Sequence, residues 1–236
     1  MTTVAAGQAN HLLSVLPEAI HDRWLLEGEL VQLQQGEIVH ELGETPREVY
    51  FPTTAIVSIL LGTENGASIE IAHVGIEGIV GVALFMGGGR SLWRAVVQHP
   101  GSALKLRAKV FKSDFDKNPF IQHSTLRYTH ALISQMGQAA VCSRHHKIQQ
   151  QLSRWLLHSV DRLAGLEIDV THEFISKMLG VRREGITEAV VHLQSMGLIK
   201  GSRGRIEVID REGLEKTACE CYSTIKREYD TLAAKR

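Results

Sequence analysis

The first half of the chain alternates short apolar runs with glycine-containing or polar breaks. The apolar runs are AIVSILL at 55–61, SIEIA at 68–72, RAVVQ at 94–98 and SALKL at 102–106. Asn65-Gly66 lies in the polar break between the first two runs and is typical of a β-hairpin turn. Short runs at about ten-residue spacing are typical of an antiparallel sandwich or barrel. The pattern therefore predicts strands from about 28 to 110, after a short helical segment at 10–27.

After Asn118-Pro119 the apolar spacing changes to that of an α-helix. From Phe120 to about Cys142 the chain contains no proline and a single glycine. The recurring positions, three or four residues apart, are Leu126, Thr129, Ile133, Met136 and Ala140. Such a narrow stripe with polar flanks is typical of the seam between two paired helices. We therefore predict a dimerisation helix, and a helix that packs only on its own sheet is the alternative.

The segment that begins at Thr171 carries the pattern of two short helices joined by a tight turn. Thr171 can cap the first helix, whose buried face contains Ile175 and Leu179. Gly180 allows the tight turn that follows. The predicted buried face of the second helix consists of Ile186, Ala189, Val190 and Leu193. This is a helix-turn-helix pattern, in which the second helix presents its N-terminal residues to the major groove of DNA.

Polar residues occupy the exposed start of this second helix. They are Arg182, Arg183, Glu184, Thr187 and Glu188. Arg183 can donate two hydrogen bonds to guanine, Glu184 can accept one from cytosine, and Arg182 is better placed for a phosphate. The alternative is a solvated helix start in an α-helical core. Repulsion between Glu184 and Glu188, and two arginines opposing the helix dipole, make that plain surface unfavourable and favour a binding surface.

A small basic hairpin is predicted directly after the second helix. The segment GLIKGSRGRIEVID at 197–210 indicates two strands joined by a turn that contains Arg203 and Arg205. A basic hairpin at this position is a wing that can lie on the phosphate backbone of DNA. The C-terminal part is therefore predicted to be a winged helix-turn-helix.

Composition and charge agree with a nucleic-acid-binding module on a globular body. The 236-residue chain is 44% hydrophobic and 22% charged, with a formal net charge of zero. Residues 1–110 contain 7 Lys/Arg and 11 Asp/Glu, whereas residues 172–205 contain 6 Lys/Arg and 3 Glu. No signal peptide or membrane-spanning run is predicted. Three cysteines fit a reducing compartment, so we expect a cytoplasmic protein without a membrane partner.

The chain resembles the Crp/Fnr family of bacterial transcription regulators over nearly its whole length. The matching positions in the most specific segment are Gly180, Arg183, Glu184, Ile186, Leu193, Gly197, Leu198 and Ile199. The resemblance implies a homodimer with two-fold symmetry that binds a palindromic DNA site. Two positions depart from the family pattern. Arg182 replaces the usual Ser, Thr or Asn cap, and Glu188 stands where the family often has Arg, which should change the half-site preference.

The predicted fold class is α+β. An N-terminal antiparallel β-roll, a jelly roll like that of cyclic-nucleotide-binding domains, precedes the long dimerisation helix and the winged helix-turn-helix. The predicted division is 1–118 for the effector or sensor domain, 119–146 for the dimerisation helix and hinge, and 147–236 for the DNA-binding domain. Double-stranded DNA, a second copy of the chain and RNA polymerase are the expected partners. The alternative is a dimeric module that binds a protein without DNA, against which the basic wing argues.

An unidentified signal is expected to act at VGIEGIVGVALFMGGGRSLWRAVVQ, residues 74–98. Cyclic-nucleotide-binding members of the family carry a Gly-Glu pair there, followed by Arg-x-Ala-Ser/Thr. In this chain Gly78 and Gly81 match the family glycines, Val82 occupies the glutamate position, and Arg94 is the remaining phosphate partner. Val82 cannot hold a ribose hydroxyl. We therefore expect a regulator that does not use a cyclic nucleotide, with a cyclic-nucleotide-responsive regulator as the alternative.

No metal, cofactor or enzymatic site is predicted. Cys219 and Cys221 have a spacing that a metal could use, but their possible third partner, Cys142, is far away in sequence. Packing thiols are therefore favoured over metal or redox sensing. His145 and His146 are neighbours that point in different directions on a helix. The chain has no His-x-His pair, nucleophile elbow, P-loop or HExxH motif, so we predict a protein that is not an enzyme.

Overall fold

The computed structural model describes residues 10–64 and 66–233. The helices are α1 (His11–Ser14), α2 (Glu18–Glu27), α3 (Ala108–Lys117), α4 (Pro119–His145), α5 (Ile148–Val160), α6 (His172–Leu179), α7 (Arg183–Ser195), α8 (Arg211–Thr217) and α9 (Glu220–Ala233). The strands are β1 (Glu29–Leu33), β2 (Ile38–His40), β3 (Glu48–Pro52), β4 (Ile56–Gly62), β5 (Ser68–Val74), β6 (Arg94–His99), β7 (Gly101–Arg107), β8 (Glu167–Asp169), β9 (Ile199–Ser202) and β10 (Arg205–Val208). A short 3₁₀ helix spans Val82–Leu84.

The N-terminal strands form a β-roll of two antiparallel sheets. One sheet has the order β1-β7-β3 and the other has the order β2-β6-β4-β5. β4 and β5 pair as a hairpin, with Gly62 opposite Ser68 at its end. Gly66 has a positive φ of 86° in the connecting turn, while Asn65, which the sequence also placed there, lies outside the described residues. The predicted α+β fold with an antiparallel N-terminal roll is confirmed.

Aromatic side chains fill the inside of the roll. The rings belong to Trp24, Phe51, Phe85, Phe111 and Phe115, and neighbouring centroids lie 5.1–6.4 Å apart. Such rings bury large apolar areas and account for much of the stability of a core. A cavity between Trp24, Phe51 and the start of α4 has a volume of about 10 Å³, which is enough for about one water molecule. This part of the roll is therefore occupied by the chain's own side chains.

One face of the long helix α4 packs on the β-roll, and another face packs against the C-terminal helix α9. Asn118 caps it by accepting hydrogen bonds from the backbone N–H groups of Phe120 and Ile121, and Pro119 occupies the first turn. The helix extends three residues beyond the predicted end at Cys142. α9 runs antiparallel to α4: contacts near the start of α9 meet the end of α4, and contacts near its end meet the start. The C-terminal helix thus returns to the β-roll core.

The C-terminal domain encloses a second core between α5, α6, α7 and a three-stranded sheet of order β8-β10-β9. Trp155, Ile175, Ile186 and Ile206 are fully or almost fully buried there. Leu60 of β4 also belongs to this core. The two domains therefore share an apolar contact as well as the connection through α4.

A buried ion pair joins the β-roll to the C-terminal domain. Arg162 Nε donates to Glu77 Oε1 at 2.9 Å, and both side chains are buried. Arg162 Nη1 also donates to the carbonyl of His158 at 2.8 Å, and its guanidinium lies 5.3 Å from the ring centroid of Tyr229. Glu77 follows β5 and Arg162 follows α5, so one pair of charges connects the β-roll to the C-terminal domain.

Two buried histidines lie beside this ion pair. The ring centroids of His73 and His158 are 5.4 Å apart. Burial lowers the pKa of His73, and the Arg162 charge acts in the same direction, while Glu70 and Glu77 oppose it. Burial lowers the pKa of His158 well below its ordinary value, and the neighbouring His73 and Arg162 act in the same direction. Both rings are therefore neutral at neutral pH.

We expect the free energy of unfolding to fall as the pH drops below about 6.5, the ordinary histidine pKa. In that range the unfolded chain binds protons at His73 and His158 while the native state does not. Each histidine then destabilises the native state by up to about 1.4 kcal/mol per pH unit, until its own native pKa is reached. Denaturant unfolding at about pH 7.5 and about pH 5.5 measures this effect.

The matched variants for this experiment are His158→Gln and His123→Gln. His158 is buried, whereas His123 is exposed on α4. His158→Gln should reduce the pH dependence of stability, and His123→Gln should leave it as in the original chain. Equal pH dependence in the two variants would mean that His158 is not its source.

Candidate nucleic-acid interface

The turn between α6 and α7 sets the geometry of the helix-turn-helix. Thr171 Oγ1 accepts a hydrogen bond from Phe174 N at 3.1 Å and caps α6, as the sequence predicted. Gly180 ends α6 with φ 64° and ψ 32°, a left-handed conformation that favours glycine. Val181 N then donates to the carbonyl of Ser176 at 3.0 Å. These contacts orient the start of α7.

The start of α7 is exposed, and its opposite face is buried. The predicted buried set, Ile186, Ala189, Val190 and Leu193, lies in the C-terminal core. The exposed set consists of Arg182, Arg183, Glu184, Thr187 and Glu188. Arg182 occupies the N-cap position in an extended conformation and makes no side-chain cap. The first-turn N–H groups are therefore available to an external acceptor such as a phosphate.

A cleft of about 330 Å³ separates the start of α6, the start of α7 and the tip of the hairpin. Arg183 and Arg203 both line it, from α7 and from the hairpin. His172 also lines the cleft, and its Nδ1 lies 3.1 Å from Thr187 Oγ1. Burial, and then the positive charge of Arg183, lower the pKa of His172. The cleft therefore places two arginines together beside a neutral histidine.

The hairpin of β9 and β10 forms the predicted wing, but its two arginines differ. Arg203 and Gly204 form the turn, where Gly204 has φ 78°. Among the described residues Arg203 makes no ion pair. Arg205 lies in β10 and donates to Glu167 and Asp169 of β8, at 3.0 Å each. The sequence treated the two arginines as equal phosphate contacts, whereas the charge of Arg205 is already paired within the domain.

Three of the five positions predicted for the dimer seam are exposed on α4, and the other two pack against the same chain. Leu126 and Ile133 are 50% and 54% exposed, and Ala140 is also exposed. Thr129 is buried against its own chain, and its hydroxyl donates to the carbonyl of Thr125 at 2.8 Å. Met136 packs against the β-roll core. Thr129 and Met136 therefore face the body of their own chain and not the exposed side of α4, where the sequence placed them.

A continuous stripe replaces those two positions. Its exposed residues, spaced alternately four and three apart, are Leu126, His130, Ile133, Gly137, Ala140 and Arg144. Val141 flanks the stripe and is 46% exposed. A Cβ at Gly137 would have no neighbour within 4 Å, so the backbone is open to close approach there. We call these residues and Val141 the α4 stripe.

The four residues of the predicted effector region do not converge on one pocket. A side chain at Gly78 would collide with a tyrosine ring of α4. Gly81 has φ 121°, and Val82 is buried at the start of the 3₁₀ helix. The side chain of Arg94 is half exposed, and its Nε donates to Glu41 Oε1 at 2.8 Å. Arg94 thus lies outside the roll, while the glycines and Val82 serve its packing.

The structure brings together the three cysteines that the sequence left apart. Cys142 lies near the end of α4, and Cys219 and Cys221 lie at the start of α9, so antiparallel packing joins them. His146 belongs to the same group. The hydrogen bond with Cys219 lowers the pKa of Cys142 more than burial raises it, and Arg154 adds to the lowering. Cys142 is far from Cys219 in sequence but adjacent to it in space, with the two Sγ atoms 3.5 Å apart, because the tertiary fold determines that distance.

Comparisons with known proteins agree with this architecture. The profile of the Crp-like helix-turn-helix domain matches residues 150–217, and that of the cyclic nucleotide-binding domain matches residues 30–118. No curated protein sequence shows significant similarity to the chain.

Similar solved structures include FixK2 from Bradyrhizobium japonicum, with 15% identity, a TM-score of 0.70, and coverage of 81% of this chain and 98% of that one. A CRP-family transcriptional regulator from Thermus thermophilus has 18% identity, a TM-score of 0.67, and coverage of 80% and 96%. The c-di-GMP-responsive global regulator CLP from Xanthomonas campestris has 14% identity, a TM-score of 0.64, and coverage of 81% and 99%. At these identities the likeness concerns the fold.

A β-roll joined by a long helix to a helix-turn-helix domain, with both domain profiles matched, defines a DNA-binding transcription regulator. The chain belongs to the Crp/Fnr family of these regulators. None of the helices in residues 10–64 and 66–233 has the length and apolar character needed to cross a membrane.

Proposed function

We propose that the chain regulates transcription as a homodimer that binds a two-fold symmetric DNA site. The exposed start of α7, next to the tip of the wing, carries this proposal. In a helix-turn-helix protein the N-terminal part of the second helix enters the major groove. The residues at this position can recognise base edges, and the wing can hold the phosphate backbone alongside.

Arg183 is the residue we assign to base recognition. It is exposed, it lines the cleft towards the wing, and its guanidinium makes no ion pair with the described residues. A free guanidinium in this position can donate two parallel hydrogen bonds to guanine O6 and N7. Arg182 lies one residue earlier, at the N-cap, where a phosphate is the better partner.

The carboxylates of α7 add a second kind of recognition. Glu184 and Glu188 are both exposed and lie on successive turns. A carboxylate can accept a hydrogen bond from cytosine N4, and it repels phosphates that approach in a wrong register. Glu184 is assigned to cytosine. Glu188 is assigned to the half-site preference, which it would set either by accepting from a cytosine or by repelling phosphates.

The wing contributes through Arg203 more than through Arg205. The charge of Arg203 has no partner among the residues at 10–64 and 66–233, whereas Arg205 pairs with two carboxylates of β8. A phosphate contact by Arg205 would have to compete with these carboxylates. Arg203→Ala should therefore lower the salt dependence of DNA binding by about one unit of slope, and Arg205→Ala should lower it less.

The decisive variant for DNA recognition is Arg183→Ala. If Arg183 contacts a guanine, its loss should weaken binding to the cognate site by about 1–3 kcal/mol and relax the preference at one base pair in each half-site. Selection of binding sites from random DNA measures the preference, and titration of the selected duplex measures the affinity. Glu188→Gln in the same selection separates lost cytosine recognition, which lowers specific affinity, from lost repulsion, which raises non-specific affinity.

Arg203→Ala is the matched control, because it removes the other arginine of the same cleft. It should weaken all duplexes alike and leave the selected sequence unchanged. If Arg183→Ala returned the original sequence preference while Arg203→Ala altered it, base recognition would have to be reassigned to the wing. If the original chain showed no salt-dependent binding to any duplex, a module that binds a protein partner would be favoured instead.

The signal is proposed to act at the β-roll, through its contact with the C-terminal domain. The aromatic packing inside the roll and the outward position of Arg94 support a signal other than a cyclic nucleotide. The proposed division into 1–118, 119–146 and 147–236 places the hinge after α4. His146 leaves the helix in an extended conformation there, and α5 begins at Ile148, which supports this boundary.

A further inference from the structure

Four potential metal ligands meet where the long helix ends. The Sγ atoms of Cys142, Cys219 and Cys221 and a ring nitrogen of His146 all lie within 4.8 Å of one another. Cys142 Sγ is 3.5 Å from Cys219 Sγ, and Cys221 Sγ is 3.5 Å from His146 Nδ1. All three cysteines are free and buried. The group therefore brings three thiols and one imidazole together where the end of α4 meets the start of α9.

These separations fit the edges of a small tetrahedron. Zn–S bonds of about 2.3 Å and a Zn–N bond of about 2.0–2.1 Å place tetrahedral ligand atoms about 3.6–3.8 Å apart. The two closest contacts are 3.5 Å, and side-chain rotations can bring the remaining atoms to such distances. Three thiolates and one imidazole form one of the ligand sets that structural zinc sites use. The spacing suits a single ion at the centre rather than a cluster with its own bridging sulfides.

The surroundings supply the outer contacts that a bound ion requires. His146 Nδ1 faces Cys221, and its Nε2 lies 3.3 Å from Glu220 Oε1, so a carboxylate can hold the opposite side of the ring. Metal-bound histidines commonly have such a partner, which fixes the ring and its tautomer. Gln138 Nε2 donates to Cys221 Sγ at 3.2 Å. Hydrogen bonds of this kind stabilise a thiolate.

A buried arginine can balance the negative charge that this ligand set would carry. Three thiolates around a divalent ion leave a net charge of −1 at the site. The charge of Arg154 acts on Cys142, and this buried side chain keeps Nε without a hydrogen-bond partner among the described residues. An unpaired guanidinium N–H is costly to bury, and an anionic group nearby reduces that cost.

We propose that Cys142, His146, Cys219 and Cys221 bind one zinc ion and fasten the end of the long helix to the start of the C-terminal helix. Binding displaces the three thiol protons, which leave to solvent, and no electron is transferred. The ion bonds to His146 at the hinge itself, immediately before Lys147 and α5. It therefore holds the segment from which the DNA-binding domain begins.

Metal analysis of the full chain, purified under reducing conditions and without affinity-tag histidines, tests the site directly. We expect one zinc per chain. Replacement by Co²⁺ should produce the intense visible bands and the thiolate-to-cobalt charge-transfer absorption of a tetrahedral thiolate site. Cys221→Ser should weaken the charge-transfer absorption, and His146→Ala should shift the visible bands, because each removes one ligand. Glu220→Gln, which changes only the outer contact, should lower the zinc affinity about 10- to 100-fold.

His145→Ala is the matched control, since His145 is the exposed neighbour of His146 and does not belong to the ligand group. It should keep the zinc content and the cobalt spectrum of the original chain. The proposal is wrong if the reduced chain binds no ion, or if Co²⁺ gives only the weak spectrum of an octahedral surface complex. It is also wrong if His145→Ala and His146→Ala change the spectrum equally. If Cys142 and Cys219 formed a disulfide on oxidation and the reduced chain did not bind zinc, the two cysteines would be a redox pair and not part of a metal site.

Discussion

Replacing Arg162 with methionine is expected to lower the free energy of unfolding by about 3–5 kcal/mol. The variant leaves the carboxylate of Glu77 buried without its partner, 2.9 Å from where the guanidinium stood. It also removes the hydrogen bond to the carbonyl of His158 and the contact with the ring of Tyr229. A buried carboxylate without a positive partner either stays charged with neither water nor a counter-charge around it or binds a proton, and both destabilise the native state.

Arg205→Met provides the matched control for this experiment. Arg205 pairs with two carboxylates, at 3.0 Å each, but its side chain is 50% exposed. Exposed pairs of this kind contribute little to stability, because water and salt screen them. Denaturant unfolding of the two variants at about pH 7.5 gives both values. A loss from Arg162→Met no larger than that from Arg205→Met would mean that the Glu77–Arg162 pair does not hold the two domains together.

The double variant Glu77→Gln with Arg162→Met separates the charge pair from the packing around it. If the cost of Arg162→Met is mainly the orphaned carboxylate, neutralising Glu77 should recover part of the lost stability. Glu77 directly precedes Gly78, and Arg162 follows α5. The same pair thus links the proposed effector region to the DNA-binding domain. A change in DNA affinity in the double variant would support this link as a route for the signal.

The local features of the fold could be predicted from the sequence. Thr171 as a cap, Gly180 as the turn and the buried positions of α7 are set by residues a few positions apart. The strand runs of the β-roll were predictable for the same reason, because alternation and turn residues act locally. The exposed arginines of α7 followed from the buried ones, since a helix that buries one face exposes the other.

Features that depend on distant segments could not be predicted in this way. The sequence separates Cys142 from Cys219 by 77 positions, and only the return of α9 along α4 brings them together. Arg162 and Glu77 are 85 positions apart, and no local pattern marks them as partners. The stripe on α4 was misassigned at Thr129 and Met136 because a periodic apolar pattern does not state which neighbour covers each side.

The α4 stripe supports the proposed homodimer. Leu126, Ile133 and Val141 remain about half exposed, on a 27-residue helix that is otherwise well packed on its inner side. Their burial against a second α4 would contribute about 25 cal/mol for each Å² removed from water. Gly137 and Ala140 carry little or no side chain, so a partner helix can approach closely between the larger residues. Spacings of four and three are those of helices paired in a left-handed coiled coil.

Replacing Ile133 with glutamate should therefore split the dimer. Two copies of the seam would each place a carboxylate at the centre of an apolar contact, which costs several kcal/mol per buried, unpaired charge. Since Ile133 is exposed in the single chain, the variant should still fold, and its thermal unfolding should confirm this. Sedimentation velocity over a range of concentrations should show a monomer where the original chain sediments as a dimer. Affinity for a two-half-site duplex should fall with it, because each monomer then binds one half-site alone.

Leu26→Glu is the control that separates a seam from any exposed apolar side chain. Leu26 is 87% exposed in α2 and lies outside the α4 stripe. It should leave both the sedimentation and the DNA affinity of the original chain unchanged. The assignment of the seam is wrong if Ile133→Glu sediments as the original dimer does. It is equally wrong if Leu26→Glu dissociates the chain as strongly, because the self-association would then depend on apolar exposure in general and not on the face of α4.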